Sequence, residues 1–217
     1  MVKRILIYIA GIFILGLGLV LNTKTGLGTS PIVSMPFALS QLTSLTLGTW
    51  TFIFYMIFVT AQIIMYRKID ARVLLQIPFS FVMGKVVDFY NVFITIKNPI
   101  LPLALIMTII AIFLTALGAF CMIQMDLIVN PADGFVNGLT YITKKPFGIM
   151  KMSFDSSCII VTLIISMVGA HHILGIGIGT FMCAFLTGTF MTYLDKFLGR
   201  KMANIVLDSK HIAEFND

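Results

Sequence analysis

Charge is what this chain has least of. Only 11% of its 217 residues are Asp, Glu, Lys or Arg, against 59% hydrophobic, and the mean hydropathy is +1.02. Soluble domains carry roughly 25% charged residues, so the composition excludes that class and points to a polytopic membrane protein. Cysteine is also scarce: Cys121, Cys158 and Cys183 lie in apolar stretches with no Cys-x-x-Cys spacing, so neither a disulfide framework nor a metal site is indicated. They read as small packing residues. A His-Glu-x-x-His pair, a nucleophile elbow and an intramembrane pairing of nucleophile with base are all missing, so no enzyme activity, metal or cofactor is expected. The net charge of +6 does not imply a nucleic-acid partner, because the basic residues form no stripe and do not interleave with aromatics.

What is there is a series of apolar segments with basic residues at their ends. Lys3 and Arg4 precede a run from Ile5 to about Leu21 that is too long for a signal-peptide core and lacks a small-residue cleavage pattern, so it counts as the first span. Further spans are expected at Trp50–Tyr66, Ala71–Phe93, Pro99–Met122, Phe154–Ala170 and Gly175–Phe197, six in all. With the N-terminus in the cytoplasm, twelve of the 15 basic residues fall inside, Lys24 and Lys97 fall outside, and Lys85 lies within a span. The bias supports both the span count and its direction, with both termini cytoplasmic.

Two segments are too short to cross. Ser30-Pro31 and Asn130-Pro131 each pair an N-cap residue with a proline at the first helical position, where its missing amide hydrogen costs nothing. The helices they open, 31–43 and 131–143, would be roughly 20 Å long against a hydrocarbon core of about 30 Å. They read as re-entrant half-helices; the competing reading is an amphipathic helix lying flat at the interface. Pro36 predicts a kink in the first of them, or a start at Ser34.

The halves also match each other. An offset of 100 pairs Gly18 with Gly118, Pro31 with Pro131, Leu39 with Leu139, Thr43 with Thr143, Gly48 with Gly148 and Phe54 with Phe154. Beyond an insertion near His171 and His172 an offset of 104 pairs Phe81 with Phe185 and Gly84 with Gly188. Three spans per half make the second half inverted, so the expected fold is an all-α 3+3 inverted repeat whose half-helix tips approach each other near the midplane. The extended approaches to those tips, 22–29 and 123–129, must line protein or water. Two helix N-termini aimed at one point suit an anion, a carboxylate or a carbonyl-bearing solute.

Ionisable residues in apolar segments are functional candidates. Lys85 and Asp88, three apart, are expected to pair, either as a gate or coupling element or as a structural ion pair. Asp133 caps free amides or contacts solute, and Gly134 lies beside it. Asp155 reads as a first-turn acid of the fifth span, and Asp126 as facing the inner vestibule. His171 and His172 read as loop residues, Gly175-x-Gly177-x-Gly179-Thr180 as close helix packing, and the chain after Arg200 as a short polar tail.

Gly26-x-Gly28-x-Ser30-Pro31, Gly48-Thr49, Gly84-x-x-x-Asp88, Pro131-x-Asp133-Gly134 and Gly177-x-Gly179-Thr180, in this order, resemble the YczE/YitT-like family of bacterial integral membrane proteins. The similarity runs to about residue 198. Similar members carry Trp-Asp directly after the Ser-Pro, where this chain has Ile32 and Val33, so the resemblance implies an altered first half-site with Asp133 alone keeping the acid. It implies a protein of the bacterial cytoplasmic membrane suspected of transport, and no particular substrate.

The resulting expectation is a secondary transporter or facilitator for a small polar or charged solute. Residues 1–98 and 99–199 form the repeats and 200–217 a cytoplasmic tail. Ser30, Asn130, Asp133 and Gly134 shape the site, and Lys85, Asp88, Asp126 and Asp155 gate or couple it. Its partners are the bilayer and the solute, and a homo-oligomer is compatible. Two alternatives stand beside it: a substrate-binding membrane subunit of an ATP-driven transporter, and a structural or assembly membrane protein.

Overall fold

The apolar runs and their terminators set the helices. The computed structural model describes residues 2–68, 70–96 and 99–214, with side chains as far as 206; Lys97, and the side chain of Lys210, which is one of the twelve basic residues counted as inside, lie outside the described residues. Among the described residues the secondary structure is all helical: α1 (Val2–Thr23), α2 (Pro31–Leu42), α3 (Leu47–Tyr66), α4 (Ala71–Leu74), α5 (Gln76–Phe93), α6 (Leu101–Met125), α7 (Pro131–Thr143), α8 (Phe147–Ala170) and α9 (Ile178–Glu214).

Helix starts follow side-chain chemistry. Thr46, Asp70 and Asn130 each accept a first-turn amide hydrogen, from Thr49, Arg72 and Ala132. Ser30 sits at the N-cap of α2 without making that bond, leaving the first-turn amides there without a side-chain acceptor. Pro36 neither delays nor ends α2: the Ser30 carbonyl accepts from Val33 and Ser34, so the helix starts at Pro31 and runs through the proline. Helix ends are less orthodox. α3, α6, α7 and α8 stop at Arg67, Asp126, Lys144 and His171, all with positive φ, a conformation usually left to glycine.

Five segments are long and apolar enough to cross a membrane: α1, α3, Ala71–Phe93 (α4 with α5), α6 and α8. The chain is therefore an all-helical, multi-pass membrane protein. Two expected boundaries change. α8 begins at Phe147 because the Pro146 carbonyl accepts from Ile149 and Met150, which brings Lys151 and Asp155 inside the helix. α9 runs on past Phe197 to Glu214, so the expected polar tail continues that helix.

At the centre, α1 and α6 cross antiparallel with almost nothing between their backbones. Gly118 backs onto the Gly11 carbonyl and the Leu15 amide, while Gly18 backs onto the Ala111 carbonyl and Thr115. Small residues allow this approach, and in lipid such van der Waals contact replaces the hydrophobic drive that apolar surroundings remove. Around this axis α5 packs on α1 and α9 on α6, α2 lies on α8 and α7 on α3. α3 also packs along α5, whereas among the described residues α8 and α9 barely meet.

Candidate functional site

The tips of α2 and α7 border a central cavity of about 500 Å³, lined also by α1, α3, α6, α8 and α9. That volume suits a small-molecule ligand. On the α2–α3 side its walls are closed by Pro31, Val33 and Tyr55, all buried. Its lining is exposed at Ile123, Asp126 and Val129 at and beyond the end of α6, at Asn137 on α7, at Phe147 on α8 and at Ala184 and Gly188 on α9, so it opens between α6, α7, α8 and α9. A hollow of similar volume, about 560 Å³, follows the outer face of α3 past Phe52, Met56 and Thr60, but no charged residue lines it. The chemistry is in the central one.

Three charges meet there. The Lys151 ammonium lies 3.5 Å from Asp133 Oδ1 and 3.4 Å from Asp155 Oδ1, with all three side chains between 17% and 30% exposed. α7 supplies Asp133 from its first turn, and α8 supplies Lys151 and Asp155 one turn apart, a spacing that puts them on one face. Asp155 Oδ1 has no hydrogen-bond partner, the 3.4 Å ammonium contact lacking that geometry. Asp126 adds a third acid at the mouth, where Arg72 approaches it to 4.0 Å. Acids outnumber bases in the lining by three to one. The anion-friendly centre expected from two bare helix tips is therefore reversed at α7, whose first turn is occupied by Asn130 and Asp133.

Of the expected site residues, Ser30, Asn130, Asp133, Asp126 and Asp155 all line the cavity. Asn130 also reaches Tyr55 Oη at 3.4 Å. Gly134 does not line it: it faces α3, where a Cβ would run into the Gln62 amide. Asp155 is not a first-turn acid, since α8 starts two turns earlier. Lys85 and Asp88 do not pair. Lys85 is exposed with its ammonium 5.5 Å from the Phe81 ring centre, while Asp88 accepts from the Gly48 amide at 2.7 Å and the Thr46 hydroxyl at 2.8 Å. A carboxylate that finds a helix start with free donors gains two charge-assisted bonds, more than an exposed lysine offers.

Lys151 in the cavity, and Gln62 and Arg4 on the backbone beside it, are not among the candidate site residues that the sequence singles out. Lys151 stands in the sequence only as a topology signal, although its i, i+4 spacing to Asp155 is there to read. Gln62 is buried on α3, exchanges amide hydrogen bonds with Gln76 at 2.9 and 3.1 Å, and donates to the Pro131 carbonyl at 3.2 Å, fixing the tip of α7. Arg4 donates to the Met125 carbonyl at 3.1 and 2.6 Å and to the Asp126 carbonyl at 3.3 Å, closing the end of α6. No local pattern marks a lone Gln or Arg as a partner of a carbonyl more than 60 residues away.

Residues 2–196 match the sequence profile of a family of unknown function, DUF6198. An uncharacterized protein of Bacillus subtilis, YyaS, is 31% identical over 130 residues, 58% of this chain and 63% of that protein, so the match spans less than two thirds of the relative's length. No solved structure matches.

Proposed function

We propose that this chain, which belongs to the DUF6198 family of unknown function, is a secondary transporter or facilitator moving a small polar or charged solute through the central cavity. The observation that carries this reading is the cavity itself: two half-helix tips and a Lys151–Asp133–Asp155 cluster inside an apolar helical protein. Ionisable groups are costly at such a place and are retained where they meet a solute or ion. The excess of acid supports a solute that brings positive charge.

Contacts related by the repeat support an inverted 3+3 architecture with re-entrant α2 and α7. Gly18 against Ala111 and Thr115 mirrors Gly118 against Gly11 and Leu15 at an offset of 100. The Ser34–Thr162 hydroxyl bond of 2.7 Å, between α2 and α8, mirrors the contact of Gly134 with Gln62, between α7 and α3. Reciprocal contacts of this kind are what a two-fold axis produces. On this reading α9 supplies the sixth span, and the positive-inside bias puts both termini and the cavity mouth on the cytoplasmic side of a bacterial membrane. Kinship with YczE/YitT-like proteins belongs to the same proposal and rests on the five ordered motifs.

The test is side-resolved thiol accessibility. With Cys121, Cys158 and Cys183 replaced by alanine, single cysteines at Ser30 and Asn130 are treated with a membrane-impermeant reagent from each face. Labelling from the cytoplasmic face, as readily as a loop control at Lys145, is expected. If neither tip reacts while the control does, the centre is dry and transport loses its support.

A further inference from the structure

The two halves close different seams. In the first, α3 and α5 are zipped at Gly48 and Gly84: a Cβ on Gly48 would overlap the Gly84 carbonyl oxygen and the Asp88 carboxylate, and one on Gly84 would lie 2.8 Å from the Gly48 carbonyl oxygen. At their repeat partners, Gly148 on α8 and Gly188 on α9, a Cβ would meet nothing within 4 Å. Gly188, Thr187 and Phe147 instead border the cavity, which runs out through that gap. Backbone contact in one seam and open space in the equivalent one is the asymmetry expected of a two-fold scaffold caught in one of two exchangeable arrangements.

We infer that the α8–α9 seam is the gate of the cavity, that it closes on Gly148 and Gly188 as the α3–α5 seam is now closed on Gly48 and Gly84, and that Asp88 is the latch holding the present arrangement. The inference rests on the transport reading of the cavity. Asp88 bridges α5 to the start of α3 by accepting from the Gly48 amide and the Thr46 hydroxyl. Among the described residues the second seam has no such bridge: an offset of 104 takes Asp88 to Thr192, and an offset of 100 takes Thr46 to Pro146. Thr192 uses its hydroxyl on the Gly188 carbonyl of its own helix. Two charge-assisted hydrogen bonds thus hold the first seam and have no counterpart in the second, which favours the arrangement seen. Opening the first seam breaks those bonds, and closing the second shuts the mouth, so that the cavity faces the opposite side.

A cysteine at Ser30, in the background lacking native cysteines, reports the exchange through its labelling from each face. The parent is expected to label from the cytoplasmic face. Asp88→Ala is expected to lower the cytoplasmic-to-outer labelling ratio at least tenfold, and adding Gly188→Leu, which fills the open seam, to restore it. A ratio within twofold of the parent, in an Asp88→Ala protein that still elutes as a single monodisperse peak, overturns the inference. Should Asp88→Ala fail to accumulate, a Gly148→Cys/Gly188→Cys pair in native membranes decides. Disulfide formation under copper–phenanthroline supports closure, and none, where a Ser34→Cys/Thr162→Cys control pair does cross-link, overturns it. A Ser30 thiol silent from both faces in the parent overturns the transport reading itself, whereas labelling that ignores Asp88 overturns only the gate.

Discussion

Replacing Lys151 by methionine keeps the length of the side chain and removes the only positive charge lining the cavity among the described residues. Asp133 and Asp155 are then left facing each other without the ammonium that lies 3.5 and 3.4 Å from them. Breaking a fully buried pair from one side costs about 3–5 kcal/mol, and an exposed pair is worth about 0–1 kcal/mol. With side chains 17–30% exposed the cost belongs between these limits, about 1–3 kcal/mol. At roughly 2–4 °C per kcal/mol for a chain of this size, thermal unfolding in detergent is expected to drop by about 2–12 °C. Asp155→Asn is expected to cost far less, because it leaves one ammonium with one carboxylate. Lys151→Met with Asp155→Asn should recover part of the loss. The ordering is the decisive feature: if Asp155→Asn unfolds earlier than Lys151→Met, the cluster is not short of positive charge, and the preference for a cationic solute goes with it.

Substitutions at Gln62 and at Gly118, each with its own comparison variant, probe the frame around the cavity. Gln62→Leu strands the buried Gln76 amide and the Pro131 carbonyl, a loss of about 2–4 kcal/mol in melting experiments, and Gln62→Leu with Gln76→Leu should cost less than the two singles added, since neither amide is then left unpaired. Gly118→Ala pushes a methyl against the Gly11 carbonyl and the Leu15 amide and is expected to destabilise by about 1–3 kcal/mol, while Gly148→Ala meets open space and should be neutral or slightly stabilising, so equal melting points for the two would refute the tight α1–α6 crossing.

How much of this is legible in the sequence depends on the range of the interaction involved. The helix starts at Pro31 and Pro131 can be read because proline geometry acts within one turn, and both lie where the residues indicate, although only Asn130, and not Ser30, makes the expected cap bond. Small-residue pairing at offset 100 points to Gly18 and Gly118, although it does not say that both sit on the α1–α6 crossing. The start of α8 lies earlier than hydropathy puts it because the 147–153 stretch is mixed in polarity, and there the Pro146 carbonyl and the helix it nucleates outweigh the apolar pattern. The expected pairing of Lys85 with Asp88 fails for a different reason. Three residues apart they do share a helix face, but Asp88 finds better donors at the start of α3, 40 residues away in sequence. Intervals along the chain carry local geometry; competition among distant donors is settled only by packing.

The cross-bracing of the halves bears on how a cavity like this one could move without coming apart. Each short helix lies on a long helix of the other half, α2 on α8 and α7 on α3, and the Ser34–Thr162 and Gln62–Pro131 hydrogen bonds tie these pairs. Meanwhile α1 and α6 are locked backbone to backbone by glycines, with room for neither to slide. If the inferred gate moves, a swing of α8 toward α9 carries α2 with it, and a swing of α3 away from α5 carries α7, about the fixed central crossing. Asp133 rides on α7, whereas Lys151 and Asp155 ride on α8. Any exchange of seams thus stretches the Lys151–Asp133 contact, already at 3.5 Å, before it disturbs Lys151–Asp155, whose partners share one helix. On the proposed transport reading, a positively charged solute that replaces Lys151 at Asp133 lowers the cost of that separation, and occupancy of the cavity is then linked to the freedom of the inferred gate.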